Sequence, residues 1–173
     1  GFVRSPLRWL TLCSEERAPG IVAPDFAYRM CVDRTSPEQR AGLALGSIRV
    51  ALCGAEPVRA DTLRRFAEAF AVSGFRDSAF RPVYGLAEST LLASGGGEGY
   101  VRTVGRFSRA ALGRDRAEAV DADAAPSVEI VGCGPPSRGQ ELAIVNPVSR
   151  RRCPDGEVGE IWISGPSVAQ GYW

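Results

Sequence analysis

Two short stretches of this chain each combine glycine with a carboxylate directly after a run that predicts a strand. The first is "GAEP" at residues 54–57, and the second is "YGLAE" at residues 84–88. Glycine lets a backbone approach a flat ligand closely. The ring of Tyr84 offers an aromatic face to a base, and the oxygens of Glu88 suit Mg²⁺. These residue types predict a site for a nucleotide and a metal ion.

The amino-acid composition excludes several other kinds of chemistry. The chain has 173 residues and a formal net charge of +1, so charge indicates neither a nucleic-acid nor a membrane partner. Histidine is absent, and every basic residue is arginine. A histidine general base, a histidine-ligated zinc site and a Schiff-base lysine are therefore excluded within these residues.

The cysteines and the chain ends indicate where such a protein works. The five cysteines are odd in number and contain no C-x-x-C pair, which is typical of free thiols in a reducing compartment. The sequence shows no signal peptide and no apolar run long enough to cross a bilayer, so we expect a cytoplasmic protein without a membrane span. It opens on Gly1 and closes on "VAQGYW", and we expect an internal segment of a longer protein.

The elements around the two stretches predict that they meet. Residues 47–53, "SIRVALC", favour a strand covered on both faces, and "AFRPVY" at 79–84 favours a second strand, where Pro82 indicates a sheet edge or an irregular end. The intervening "DTLRRFAEAF" has apolar residues at helical spacing and Gly74 as a stop. Strand, helix and strand in this order predict a parallel crossover, and open α/β sheets bind ligands beyond the carboxyl ends of their strands. The two stretches are thus predicted to be two walls of one pocket.

The rest of the chain predicts a second, smaller part. Helix starts are expected at Ser5, at Asp25 as the cap of "DFAYRMCV", and at Ser36. The runs "SVEIVG", "QELAIV" and "GEIWIS" predict a small antiparallel β subdomain with Trp162 in its core.

The predicted fold is therefore an α/β class with a parallel βαβ core followed by a small antiparallel β subdomain, and it is an incomplete domain. We divide the chain into an α/β part at 1–97, an exposed and partly helical insertion at 98–127, and the β subdomain at 128–173.

Three stretches in combination resemble the adenylate-forming superfamily, the AMP-dependent synthetases and ligases. They are "SIRVALCGAEPVRADTLRRFAEAF", "YGLAESTLLASGG" and "PDGEVGEIWISGPSVAQGYW", and within the superfamily they are most similar to the fatty acyl-AMP ligases. The resemblance covers nearly the whole chain and implies part of the N-terminal domain of such a ligase. Residues 98–125 lie where those ligases carry an insertion that is thought to disfavour transfer to free CoA.

The resemblance also implies a reaction and its partners. A fatty acid carboxylate joins the α-phosphate of ATP and pyrophosphate leaves, with Mg²⁺ as the metal ion. The acyl group then passes to the phosphopantetheine thiol of an acyl carrier protein or of a polyketide synthase carrier domain. The implied cofactors are therefore ATP or AMP and Mg²⁺.

Carried over residue by residue, the resemblance implies a set of nucleotide contacts. These are Gly54, Ala55, Glu56, Tyr84, Gly85, Leu86, Ala87 and Ser89. The loop 54–56 would run along the adenine, Tyr84 would stack on it, and Glu88 would be the catalytic residue that holds Mg²⁺. Ala87 stands where many members have threonine, so the hydroxyl that meets phosphate would come from Ser89 or Thr90.

Several parts of the superfamily pattern are missing from these residues. There is no Ser/Thr/Gly-rich phosphate loop before Arg49, no lysine, and no arginine after the glycine of "CGPP" at 133–136. The ribose-binding aspartate of the superfamily would lie beyond Trp173. We therefore expect no ligase turnover from the 173 residues alone.

Other interpretations of the same residues stay open at this point. Glu88 could be a carboxylate that faces a helix dipole, Tyr84 could be a core residue, and "GAEP" could be an ordinary turn. Phe26, Tyr28 and Met30 favour packing over an acyl pocket. The parent could instead be an acyl-CoA synthetase, an amino-acid adenylation domain, or a non-catalytic nucleotide-binding module.

Overall fold

The computed structural model describes residues 2–97, 99–124 and 126–173, and the main sheet of this described part has four strands. In sheet order they are β1 (Gly20–Ala23), β2 (Val50–Cys53), β3 (Phe80–Tyr84) and β4 (Ser94–Gly95). Strands β1, β2 and β3 are parallel, and β4 runs antiparallel to β3. The predicted α/β class and its parallel β2–β3 pair are confirmed.

Five α-helices surround this sheet or follow it in the described residues. They are α1 (Leu7–Glu15), α2 (Asp25–Asp33), α3 (Pro37–Ala41), α4 (Ala60–Phe70) and α5 (Arg109–Leu112). Helix α3 begins as predicted, because Ser36 and Gln39 form a reciprocal capping box. Helix α4 buries Leu63, Phe66 and Phe70. The 3-10 turn that follows it ends at Gly74, whose φ is +83°.

The predicted caps of α1 and α2 are wrong. Pro6 precedes α1 and Pro24 precedes α2, and neither position makes a side-chain capping bond. Asp25 is the first residue of α2, but its carboxylate accepts hydrogen bonds from Arg59 N and Thr62 Oγ1, both at 2.9 Å. Asp25 therefore caps α4 rather than α2, because the packing of the two helices brings its carboxylate to the start of α4.

An aromatic cluster fills the space between the sheet and helices α2 and α4. The ring centroid of Phe66 lies 4.5 Å from that of Phe70, 5.1 Å from that of Tyr28 and 5.8 Å from that of Phe80. Tyr28 is fully buried, and its hydroxyl donates to Leu52 O at 2.8 Å. The packing interpretation of Tyr28 is confirmed, whereas Phe26 is 38% exposed.

Strands β2 and β3 differ in two ways from their predictions. Val50 is 38% exposed while Ala51 and Cys53 are fully buried, so the described residues cover one face of β2 rather than both. Pro82 lies in an inner strand, because β3 pairs with β2 on one side and β4 on the other. Strand β4 reaches only Val83 and Tyr84, so the missing N–H of Pro82 costs no ladder bond to β4.

Two antiparallel pairs form the rest of the described chain. Strand β5 (Val104–Ser108) pairs with β6 (Ser127–Val131), and β7 (Glu141–Val145) pairs with β8 (Glu160–Ser164). The three predicted strands are confirmed. Strand β5 and helix α5 both lie in the stretch 98–127, and β5 joins it to the following part by a full ladder. The division of the chain into three parts stays a prediction.

Trp162 does not lie in a core, contrary to prediction. It is 46% exposed, and its indole N–H donates to Glu160 Oε2 at 3.2 Å. Strands β7 and β8 form a two-stranded ribbon, and the described residues leave the face that carries Trp162 open. None of the described helices combines the length and the apolar character needed to cross a membrane.

Candidate functional site

A cavity of about 630 Å³ opens at the carboxyl ends of β2 and β3. One wall is the loop from Ala55 to Asp61 before and into α4, and a second is Val83–Gly85 at the end of β3. The third wall comes from β6, with Glu129, Ile130 and Val131, and from Cys133. This volume lies within the range of about 300–1,000 Å³ that small-molecule sites occupy.

The cavity unites part of the predicted set of nucleotide contacts. Those that line it are Ala55, Glu56, Tyr84 and Gly85. Those outside its lining are Gly54, Leu86, Ala87, Glu88 and Ser89. The two stretches that follow β2 and β3 therefore share one cavity, and the predicted contacts after Gly85 lie outside its lining.

The two predicted glycines are required by the chain itself. A Cβ on Gly54 would lie 2.6 Å from Val83 O, and a Cβ on Gly85 would lie 1.5 Å from Leu91 O. Both distances are far below a normal contact between carbon and oxygen. These glycines thus let neighbouring backbone segments pack together, in addition to any approach by a ligand.

Glu56 joins the cavity loop to the start of α2. Its Oε1 accepts a hydrogen bond from Phe26 N at 2.6 Å, which satisfies one free N–H in the first turn of that helix. Asp25 of α2 caps α4, and Glu56 in the loop before α4 caps α2. These hydrogen bonds fix the position of the cavity wall that contains Glu56 relative to α2 and α4.

Glu88 lies in a short 3-10 turn, Ala87–Ser89, rather than at the start of an α-helix. Its exposed carboxylate accepts a hydrogen bond from the hydroxyl of Tyr172, and its backbone oxygen accepts one from Ala169 N at 2.7 Å. The Tyr172 bond lowers the pKa of Glu88 and raises the pKa of Tyr172. The helix-dipole interpretation of Glu88 therefore does not apply.

The fit of these residues to Mg²⁺ depends on Glu88 alone. Within the described ranges no three acidic, cysteine or histidine side chains come close enough together to hold a metal ion. Mg²⁺ is commonly held by one or two carboxylates together with substrate phosphates and water. A single exposed carboxylate at Glu88 fits that pattern, with the remaining ligands coming from nucleotide and solvent.

The two candidate hydroxyls after Glu88 differ in access. Ser89 is 2% exposed, and its Oγ is buried without a hydrogen-bond partner among the described residues. Thr90 is exposed, and its Oγ1 donates to Ser167 O at 2.6 Å. Of the two, the Thr90 oxygen is the one that an outside phosphate could reach.

The sequence predicted no part in the site for Tyr172, Cys133 or the β6 residues of the cavity. Tyr172 and Glu88 are 84 residues apart in the chain, and no local pattern links them. Gly134 offers the one signal near Cys133, because its φ of +79° demands glycine where the chain passes Gly95. Burial raises the pKa of the Cys133 thiol above its ordinary value.

Comparison with known proteins finds one family model and several relatives that match this chain. A family model described as "AMP-binding enzyme" matches residues 1–173. The chain is 44% identical to the medium-chain-fatty-acid–[acyl-carrier-protein] ligase JamA of Moorena producens, over 99% of this chain and 29% of the relative. It is 40% identical to a 4-hydroxyphenylalkanoate adenylyltransferase of Mycobacterium marinum, over 99% of this chain and 28% of the relative.

A solved structure agrees with these relatives. The fatty acyl-adenylate ligase from L. pneumophila, in complex with acyl adenylate and pyrophosphate, superposes with a TM-score of 0.93 at 40% identity. The match covers 99% of this chain and 30% of that one. The chain thus spans less than a third of the length of each of these proteins.

Proposed function

The chain belongs to the AMP-binding enzyme family, and from this premise we propose that it forms the adenine-binding part of a longer fatty acyl-AMP ligase. The observation that carries the proposal is the single cavity shared by Glu56 and Tyr84 at the carboxyl ends of two parallel strands. Such sheet edges are where open α/β folds bind nucleotides. The relatives support the choice of substrate, since two are named for fatty acids or fatty acyl adenylate.

In the proposed reaction a fatty acid carboxylate oxygen attacks the α-phosphorus of ATP. The bond from that phosphorus to the bridging oxygen breaks, and the products are acyl-AMP and pyrophosphate. The acyl group then moves to a carrier-protein phosphopantetheine thiol, and AMP leaves. Mg²⁺, when bound, offsets the charge of the phosphates.

The residues of this chain bind and orient in that scheme. Tyr84 presents its half-buried ring to the adenine across from the 55–57 loop, which Glu56 ties to α2. Glu88 would supply one carboxylate to Mg²⁺. The Thr90 hydroxyl would donate to phosphate only after releasing its hydrogen bond to Ser167 O. The phosphate loop and the lysine of the reaction would come from residues outside these 173.

The test is substrate-dependent adenylation by the full-length enzyme. We expect fatty acid to stimulate pyrophosphate release, with acyl-AMP detected by mass spectrometry. Because stacking on an aromatic ring contributes about 1–3 kcal/mol, Tyr84→Ala should weaken AMP binding by roughly tenfold or more. Tyr84→Phe keeps the ring and is the matched control, with affinity close to that of the unmodified enzyme.

Three results would contradict the proposal in different ways. AMP binding that is unchanged in Tyr84→Ala would remove the cavity as the adenine site. Binding of AMP without pyrophosphate release would favour a non-catalytic module. Transfer of the acyl group to CoA in preference to a carrier protein would favour an acyl-CoA synthetase.

The cytoplasm is the proposed compartment, because all five cysteines are free thiols.

A further inference from the structure

Residues 167–172, which we call the clasp, hold the turn that carries Glu88. Thr90 Oγ1 donates to Ser167 O at 2.6 Å, and Ala169 N donates to Glu88 O at 2.7 Å. The Tyr172 hydroxyl donates to the Glu88 carboxylate. The clasp therefore contacts the backbone and the side chain of the same short turn.

Gln140, the residue just before strand β7, extends this hydrogen-bond network. Its Nε2 donates to Leu92 O at 3.2 Å, on the turn side, and to Ser167 Oγ, on the clasp side. One amide thus bridges both segments. Gln140 therefore ties the clasp and the turn to each other.

The turn has a reason to need support from outside. Thr90 and Leu91 both adopt left-handed backbone conformations, with φ of +54° and +84°. Such conformations cost free energy for residues with a Cβ, and they persist where surrounding contacts hold them. Two in succession, beginning two residues after Glu88, indicate a turn whose shape depends on contacts such as those of the clasp.

We propose that Tyr172 is a positioning residue for Glu88: its hydroxyl holds one carboxylate oxygen, and the other oxygen would be free to bind Mg²⁺. This rests on the proposed function, in which Glu88 holds the metal ion. An exposed glutamate loses rotamer freedom when it binds a cation, and a phenol that already holds one oxygen removes part of that cost. The backbone bonds of the clasp place the turn, and the Tyr172 hydroxyl places the carboxylate.

The test is Tyr172→Phe in the full-length enzyme, which removes the hydroxyl and keeps the ring. Loss of one solvent-exposed hydrogen bond predicts a rise of about five- to tenfold in the Mg²⁺ concentration that half-saturates acyl-AMP formation. The KM for fatty acid should not change. Tyr100→Phe is the matched control, because Tyr100 lines a different cavity beside Arg81 and Arg102, and its Mg²⁺ requirement should not change.

A second readout measures the metal without turnover. Mn²⁺ is titrated by electron paramagnetic resonance in the presence of α,β-methylene-ATP, which cannot release pyrophosphate. The Kd for Mn²⁺ should rise about fivefold in Tyr172→Phe. In a Glu88→Gln background the same substitution should add nothing further, because the charged partner is already gone.

The outcomes separate this inference from the proposed function. An unmodified enzyme that forms no acyl-AMP refutes the proposed function, and the Mn²⁺ titration still tests Tyr172. Equal Mn²⁺ affinity in Tyr172→Phe and the unmodified enzyme overturns the inference. A parallel rise in the KM for fatty acid, or an additive effect in the Glu88→Gln background, also overturns it, because either would show a general structural role.

Discussion

Gly85 leaves no space for a side chain at the turn that follows β3. The carbonyl oxygen of Leu91 occupies the place of a Cβ, and the same turn contains the left-handed residues Thr90 and Leu91. Backbone therefore packs directly on backbone at the junction between the cavity and Glu88. A single methyl group at residue 85 would prevent the backbone from forming this turn.

Gly85→Ala should displace this turn and destabilise the protein. The added Cβ would lie 1.5 Å from Leu91 O, so backbone must shift, at a cost of about 1–3 kcal/mol or more. We expect a lower Tm in thermal denaturation and weaker AMP binding in calorimetry. Gly42→Ala is the control, because its Cβ would lie 3.6 Å from Gln39 O, an ordinary contact. Equal effects of the two substitutions would contradict the steric argument.

Helices α2 and α4 pack as a pair, and α2 together with the loop before α4 supplies the carboxylates that cap their first turns. The Asp25 carboxylate is 3% exposed and takes both a backbone N–H and a hydroxyl from the start of α4. Glu56 takes a backbone N–H from the start of α2. A carboxylate near a helix N-terminus is also favoured by the helix dipole, so these two carboxylates fix the starts of α2 and α4 relative to each other.

Asp25→Ala should therefore cost more than the loss of an ordinary surface charge. The substitution leaves the Arg59 N–H and the Thr62 hydroxyl without this acceptor, which predicts a loss of about 1–3 kcal/mol in the free energy of unfolding. The control is Asp33→Ala, which breaks an exposed ion pair with Arg65 and should cost no more than about 1 kcal/mol. Urea unfolding measures both, and similar losses would refute the capping role.

Across the whole molecule, three segments distant in sequence assemble one cavity. The loop before α4, the end of β3 and the strand β6 with Cys133 each contribute a wall. Cys133 is half-buried, and Cys153 is a second half-buried thiol on the β7–β8 side of the molecule, outside the cavity lining. The two cysteines therefore report separately on the cavity and on the remaining surface.

AMP should protect Cys133, and not Cys153, from alkylation in the full-length enzyme. Both thiols have raised pKa values, Cys133 through burial and Cys153 through burial and the nearby Glu157 carboxylate. Since the thiolate is the reactive form, both should react slowly at neutral pH and faster as the pH rises. Mass spectrometry after iodoacetamide treatment would show a severalfold slower reaction of Cys133 with AMP present. Equal protection of both cysteines would indicate a global change rather than occupancy of the cavity.

Much of the fold was predictable because its signals are local. Helix α4 follows from the spacing of Leu63, Phe66 and Phe70, and α3 follows from its start at Ser36 and Pro37. The pairing of β2 with β3 follows from the order strand, helix, strand, and it brings Glu56 and Tyr84 to one cavity. Each of these inferences needs only residues close in sequence and the rule that parallel strands end at one edge.

The sequence by itself thus determined the α/β class, the family resemblance and the two stretches that meet at the sheet edge. Only the tertiary structure decided that Asp25 caps α4, that Trp162 is half-exposed and that Tyr172 holds Glu88. The physical reason is the separation in sequence between the residues that interact. Periodicity and turn chemistry act over a few residues, whereas the partner of a carboxylate or the cover on an indole depends on which distant segments the packed chain brings beside it.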